Sequence, residues 1–303
     1  MKAFVGITDS GWFEVLRGQR DLEEVNFWQP GGMRKFTALT PGELFLFKLH
    51  SPQNFIVGGG IFAHSTLMPI SFAWSAFGRG NGVYSLEEMR ERTQYYRRTV
   101  ADPREDFTVG CILLTQPFFL PEARWIAVPP DWSRKIVQGR TYDLTVEPGL
   151  ALFGQLQAAL HELRVLEPQA PRFGDPILVR PRLGQGSFRV LVTDAYERRC
   201  SITGERVLPV LEAAHVRPYA QGGLHSIDNG LLLRSDLHTL FDRGYLTITP
   251  DLHVVVSKRL KVEYENGRLY YALSGSLLRP PGAFHPTISQ ENIRWHNQER
   301  FFG

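Results

Sequence analysis

Cysteine is scarce in this chain of 303 residues: there are two, Cys111 and Cys200. Two lone cysteines cannot build a paired CxxC zinc site, and a disulfide between them is not expected in a reducing compartment, so packing accounts for both. Long apolar runs are missing as well. Stretches such as Leu150 to Phe153 or Leu231 to Leu233 fall far short of the ~20 residues of a membrane span. After Met1-Lys2 the sequence passes through Ala3-Phe4-Val5-Gly6 to Asp9, with no apolar core of a signal peptide, and a cytoplasmic protein without membrane contact is the expectation. Neither internal repeats nor low-complexity tracts occur. A strong charge of one sign is also lacking, because the net value is +3, which is compatible with a nucleic-acid partner without singling one out.

What is present is the composition of a soluble globular protein, 43% hydrophobic and 21% charged, in a chain long enough for two domains. Arginine is concentrated in the middle, at Arg172, Arg180, Arg182, Arg189, Arg198, Arg199, Arg206 and Arg217. Its planar fork donates two hydrogen bonds at once, which suits phosphate.

The first part reads as β-rich. Glu43 to Leu49 and Phe55 to Phe62 are aromatic and β-branched runs separated by Ser51-Pro52-Gln53-Asn54, a turn signal. A further strand is expected from Cys111 to Thr115, before Pro117. Ser85, with Glu88 three residues on, caps a polar helix carrying Met89, Thr93 and Tyr96. From Pro148 to Leu163 the period changes, and Leu150, Phe153, Leu156, Leu160 and Leu163 define an apolar helical stripe. Glu167 to Gly174 looks like a linker, and a second helix is expected from Ser187 to Arg199.

The stretch that carries chemistry is Leu211-Glu212-Ala213-Ala214-His215-Val216-Arg217-Pro218 followed by Asp228-Asn229-Gly230-Leu231-Leu232-Leu233-Arg234-Ser235-Asp236-Leu237-His238-Thr239-Leu240-Phe241-Asp242-Arg243-Gly244. Val207 to Val216 predicts a strand delivering His215. Ser235 predicts the cap of a short helix that Gly244 ends. His238 and Asp242, four apart on that helix, share one face, a spacing that lets an imidazole and a carboxylate grip one cation. A histidine at a strand end opposite such a helix can take a proton from water while the cation stabilises a scissile phosphate.

These residues resemble the HNH endonucleases, and in particular the branch with the pattern GQ-x-x-FR, AY-x-x-x-C-x-x-TG, AAH, NGLLL and LH-x-x-FD-x-G. The chain supplies Gly184-Gln185 with Phe188-Arg189, Ala195-Tyr196, Cys200, Thr203-Gly204, Ala213-Ala214-His215, Asn229 to Leu233, Leu237-His238, and Phe241-Asp242 with Gly244. Leu246 to Ile248 follows, where the family has a closing hairpin. The resemblance implies a ββα-metal fold in which His215 is the general base and Asn229 pins the loop and orients that base. It makes His238 a metal ligand, also counted with the catalytic residues, and puts Asp242 at the position of a second helical ligand. Many relatives have Asp or His immediately before the base, and here that position is Ala214. Zinc wants four firm ligands, whereas magnesium keeps its waters, so Mg²⁺ or Mn²⁺ is preferred over Zn²⁺, with His225, Asp236 or Glu212 as further contributors. Arg217 and Arg234 are candidate phosphate clamps.

The amino-terminal part is rich in rings, among them Trp12, Phe27, Trp28, Phe36, Phe72, Trp74 and Phe77, most of them expected in a core. Gly42 to Gly60 resembles the EVE-like members of the PUA superfamily, barrels that bind modified nucleobases. That resemblance implies Trp12, Trp28 and Trp74 as walls of a base pocket and His50 and Ser51 as edge readers, with a modified cytosine as the first candidate base. The expected class is α+β: a PUA/EVE-like β-barrel with helical insertions over 1-145, a helix and linker over 146-180, and the HNH domain over 181-303. The leading reading is a modification-dependent DNA endonuclease for restriction or phage defence acting on double-stranded DNA. Because one HNH centre cuts one strand, double-strand cleavage requires a homodimer or two successive events. The alternatives are a nuclease effector whose first half senses a ligand or partner, and a catalytically inactive DNA-binding protein.

Overall fold

The structure is a computed structural model and describes residues 1–31, 34–98, 102, 104–166 and 182–303, with the side chains of 162–166 left aside. The chain divides into two compact units, Met1–Gly184 and Gln185–Gly303. The expected linker from Glu167 to Gly174, and with it Arg172 and Arg180, lies outside the described residues.

The first unit contains β1 (Lys2–Thr8), α1 (Ser10–Arg17), β2 (Glu24–Gln29), β3 (Leu44–Leu49), β4 (Phe55–Pro69), α2 (Ile70–Phe77), α3 (Leu86–Arg97), β5 (Thr108–Phe119), β6 (Ile126–Ala127), β7 (Gly139–Asp143) and α4 (Gly149–Leu166). The strands form one mixed sheet in the order β2-β5-β4-β3-β1-β7, with β6 added to β4 and β1 parallel to β3. The path ends at β2 and β7, which do not pair with each other. Among the described residues the β-barrel expected for this unit is thus a large mixed sheet, without a pairing that closes it. Strand β3 explains why the fold is layered. Its Leu44 and Leu46 enter one core with α4, while Phe45, Phe47 and Leu49 enter another with Trp12, Phe13 and Leu16 of α1. A strand buried on both faces reads as a continuous apolar run, which is how Leu44-Phe45-Leu46-Phe47 reads.

Two further expectations change. The strand at Cys111 runs on through Pro117 to Phe119, because the register against β4 shifts between Gly59 and Ile61 and Gln116 takes φ 50° there. Proline is tolerated at such a bulge, where a ladder donor is not needed. Helix α4 joins the first unit's core through Leu152, Phe153, Leu156, Ala159 and Leu160, while Leu150, placed on the stripe by periodicity, is 48% exposed.

The second unit contains α5 (Gln185–Ala195), β8 (Leu211–His215), β9 (Gly230–Arg234), α6 (Ser235–Asp242), β10 (Leu246–Ile248), β11 (Val254–Val256), α7 (Arg259–Tyr264), α8 (Arg268–Tyr271) and α9 (Gln290–Glu299). Helix α5 stops at Ala195, four residues before the expected end, since Glu197 and Arg198 adopt positive φ. The strand expected from Val207 is shorter too, because Leu208–Val210 is a 3-10 turn. Strands β8 and β9 form an antiparallel hairpin with His215 opposite Gly230, and α6 follows β9 directly. One core unites Phe188 and Val192 of α5, Ala214, Leu231, Leu232, Leu233, and Leu237 and Phe241 of α6. Strands β10 and β11 pair antiparallel and add Leu246, Ile248, Val254 and Val256 to the same core. Among the described residues no helix is long and apolar enough to cross a membrane.

Candidate active site

Helix α6 is oriented by Leu237 and Phe241, which sit four apart and point into the core. One position further round, His238 and Asp242 are thereby turned to a common face. Its start differs from expectation. Arg234 occupies the N-cap position in extended conformation, and no side chain caps the helix. Ser235 is the first helical residue because β9 runs into α6 without an intervening loop.

His238 is held from both edges of its ring. Nδ1 lies 2.7 Å from Glu212 Oε2 on β8, and Nε2 lies 3.2 Å from Asp242 Oδ2. Burial works against a charge on this imidazole, but the hydrogen bonds to Asp242 and Glu212 outweigh it and raise its pKa above the ordinary histidine value. Ala214 is fully buried in the core, so no ligand stands before the base.

The donor set fits a small hard cation. Two ligands at right angles on an ion with bonds of roughly 2.1 Å stand about 3 Å apart, so the His238 Nε2 to Asp242 Oδ2 separation of 3.2 Å needs little adjustment. Glu212 approaches the opposite edge of the ring, where a carboxylate can orient an imidazole but would not reach an ion held at the Asp242 edge. Among the described residues no cluster of three or more His, Cys, Asp or Glu side chains forms a metal cage. Such a sparse set suits an ion that keeps several waters.

His215 ends β8 in different company. Its ring lies flat on Phe188 at 3.9 Å and 11°, and its Nε2 is 2.9 Å from Nδ1 of His225. Burial, followed by the neighbouring His225, pushes its pKa down to about 4, with Asp242 pulling the other way. Gly230, opposite His215, makes the stack possible: a Cβ there would stand 2.3 Å from Val192 Cγ2 and 3.1 Å from the Phe188 ring.

Asn229 is buried between the two ends of the intervening loop. Its Oδ1 accepts from the Arg217 backbone N–H at 2.9 Å, and its Nδ2 donates to the carbonyls of Arg217 and Leu224, both at 2.9 Å. The loop closes this tightly because Gly223 has no side chain, where a Cβ would fall 1.8 Å from the Arg217 carbonyl oxygen.

The remaining sequence candidates separate. Arg234 forms a two-pronged pair with Asp236, 2.7 Å on each arm, so that carboxylate is committed away from His238 and that guanidinium is already occupied. Arg217 donates to the Gln221 carbonyl at 2.7 Å, lies 3.8 Å from Glu291 and sits over Trp295. His225, expected beside the cation, is engaged by His215 instead. Phe188 and Glu212 have roles that no local spacing announces, since their partners lie 27 and 26 residues away in sequence.

In the first unit, Trp12 and Trp28 are buried at 4% and 8% exposure. Trp12 packs edge-on against Phe27 and Phe47, and Trp28 Nε1 donates to the Asn81 carbonyl at 2.8 Å. Neither is free to form a pocket wall as it stands. Trp74 is half-buried on α2, and His50 and Ser51 are exposed on the turn before β4. His50 and Ser51 precede the 15-residue β4 and Trp74 follows it on α2.

Residues 200–249, within the second unit, match the model of the HNH endonuclease family (HNH_2). No curated protein matches the chain. Among solved structures, a variant of the ZmASCH protein of Zymomonas mobilis is 11% identical with a TM-score of 0.35, covering 51% of this chain and 95% of that one. A second, titled modification dependent TagI restriction endonuclease, is 16% identical with a TM-score of 0.27, covering 98% of this chain and 81% of that one. Both likenesses are distant.

Proposed function

We propose that this protein is a divalent-metal-dependent endonuclease that hydrolyses phosphodiester bonds in DNA, with His215 as the general base and His238 and Asp242 as ligands of Mg²⁺ or Mn²⁺. The observation that carries the reading is the pairing, within the HNH match, of one histidine kept neutral with another held beside a carboxylate at ligand spacing. When bound, the cation would polarise the scissile phosphate and stabilise the leaving oxygen. His215, unprotonated at neutral pH, accepts the proton of the attacking water. A phosphate arriving beside it brings negative charge, which raises the basicity of the imidazole when substrate is present. Asn229 keeps the loop closed behind the base, and Glu212 keeps the His238 ring turned toward Asp242.

The first unit is proposed as the DNA-reading half, selecting a modified base with modified cytosine as the first candidate. Support comes from the division of labour, since a compact nuclease domain contacts mainly backbone, and from the resemblance of Gly42 to Gly60 to base-binding barrels. Trp74 is the remaining tryptophan for a base-facing role, and His50 with Ser51 forms a separate candidate patch. Digestion of matched plain and cytosine-modified duplexes, with Mg²⁺ or Mn²⁺ and with chelator, tests both halves. Metal-dependent cutting of the modified duplex alone is the expected result. Equal cutting of both removes the modified-base reading, and no cutting under any condition removes the nuclease reading.

A further inference from the structure

The imidazole of His225 has no role in the mechanism above, yet it is half-buried and in direct contact with His215. It stands with Nδ1 2.9 Å from His215 Nε2, and Tyr219 lies flat on its other side at 4.5 Å and 8°. Four rings therefore follow one another: Phe188 flat on His215, His215 bonded to His225 at a 60° tilt, and His225 flat on Tyr219. The residue before His225 is tethered as well, because Asn229 Nδ2 donates to the Leu224 carbonyl. Stacking fixes the planes of the two imidazoles, and the hydrogen bond fixes their rotation.

A neutral histidine carries one proton on two nitrogens, and the bond made by one nitrogen decides the state of the other. His215 Nδ1 makes no hydrogen bond among the described residues. If His225 Nδ1 donated across the contact, His215 would carry its proton on Nδ1 and present no lone pair to water. We propose that His225 is the positioning residue of the base: its Nδ1 accepts a hydrogen bond from His215 Nε2–H and so leaves the lone pair of His215 on Nδ1 for the attacking water. This rests on the reading of His215 as general base. In the step itself, water loses a proton to His215 Nδ1 as its oxygen bonds to phosphorus. The P–O bond to the leaving sugar oxygen breaks, and that oxygen takes a proton from bulk water. The imidazolium formed then donates from Nε2 to His225 with a charge-assisted bond, which is stronger than the neutral one it replaces.

The test uses the full chain labelled with ¹⁵N, with the His215 signals assigned by their loss in His215→Ala. Long-range ¹H–¹⁵N spectra of the wild type at neutral pH are expected to show His215 protonated on Nε2 and bare on Nδ1. In His225→Phe, which keeps a ring against Tyr219 but removes the acceptor, His215 is expected to become a mixture of tautomers. Its cleavage rate should fall about ten- to a hundredfold, the usual effect of losing an orienting partner, while Mn²⁺ affinity by calorimetry stays within twofold. His225→Asn, whose amide oxygen can accept, should recover part of the rate, and free imidazole should restore activity to His225→Gly. A wild-type His215 carrying its proton on Nδ1 overturns the proposal. So does an unchanged rate in His225→Phe, or a loss of Mn²⁺ binding in that variant, which would make His225 a metal ligand. A wild type that cleaves no DNA with any cation removes the nuclease reading instead, and the tautomer spectrum still decides the dyad.

Discussion

His215 and His238 belong to neighbouring elements of one small unit, yet their surroundings drive them in opposite directions. The first lies between a phenyl ring and a second imidazole, and burial keeps it neutral, with a pKa near 4. The second lies between two carboxylates that favour its charged form despite burial. A neutral imidazole with a spare lone pair suits a base. An imidazole clasped by carboxylates suits a cation site, where the ion takes the place of the proton. Residue type alone does not separate these roles; the charge and polarity of the immediate neighbours do.

The sharpest way to separate the two sides is to remove the cation. Chelation is expected to abolish cleavage, with recovery on adding Mg²⁺ or Mn²⁺, as measured by plasmid nicking; activity in excess chelator would dissolve the metal side altogether. On the base side, His215→Ala should lower the cleavage rate by about 10²–10⁴ while leaving Mn²⁺ affinity by calorimetry unchanged, and a near-normal rate would remove His215 from the chemistry. Between these lies Glu212→Gln, expected to weaken Mn²⁺ binding by about ten- to a hundredfold and to be rescued by raised metal concentration. No change in affinity would mean that Glu212 does not orient His238.

Asn229→Ala probes the base side through its loop. It leaves the backbone N–H and the carbonyl of Arg217 without their partner, while the Leu224 carbonyl still accepts from the Ser226 N–H. Unsatisfied groups cost ~1–3 kcal/mol each, so two of them predict a loss of about 2–6 kcal/mol in denaturant unfolding together with slower cleavage. A variant of wild-type stability would show that the loop is held by other means.

The smallest effect is on pH dependence, and its two parts have different signs. A lowered pKa keeps His215 unprotonated as pH falls through 6.5, so at saturating metal the acid limb of the rate should lie below pH 6.5. A raised pKa keeps the proton on His238 at higher pH, so at limiting metal the apparent affinity should already decline as pH falls toward 6.5. Acid limbs that coincide at low and saturating metal would erase the contrast between the two histidines.

Much of the site was legible because its determinants are local. His238 and Asp242 share a face by helical spacing, and Leu237 with Phe241 shows which face is turned inward. The buried run Leu231 to Leu233 marks β9 in the same way. Elsewhere local pattern misled. Ser235 looked like a cap, but the strand before it supplies the N-cap residue, which depends on how β9 enters α6. Trp12 and Trp28 looked available as pocket walls, whereas rings that bury large area fill the core beneath α1 and around Asn81. Leu150 fitted a stripe drawn from spacing alone, while the real stripe is set by where α4 meets β3 and β7.

By itself the sequence determined the ββα segment and the shared face of His238 and Asp242, because strand and helix periods are written over a few consecutive residues. Tertiary structure alone decided that Glu212 stands behind His238, that Phe188 and His225 flank His215, that Arg234 is spent on Asp236, and that β1 lies parallel to β3 in the first unit's mixed sheet. Each of these is a meeting of side chains or strand edges whose partners are set by packing, and spacing along the chain carries no record of which neutral or charged neighbour a folded imidazole will face.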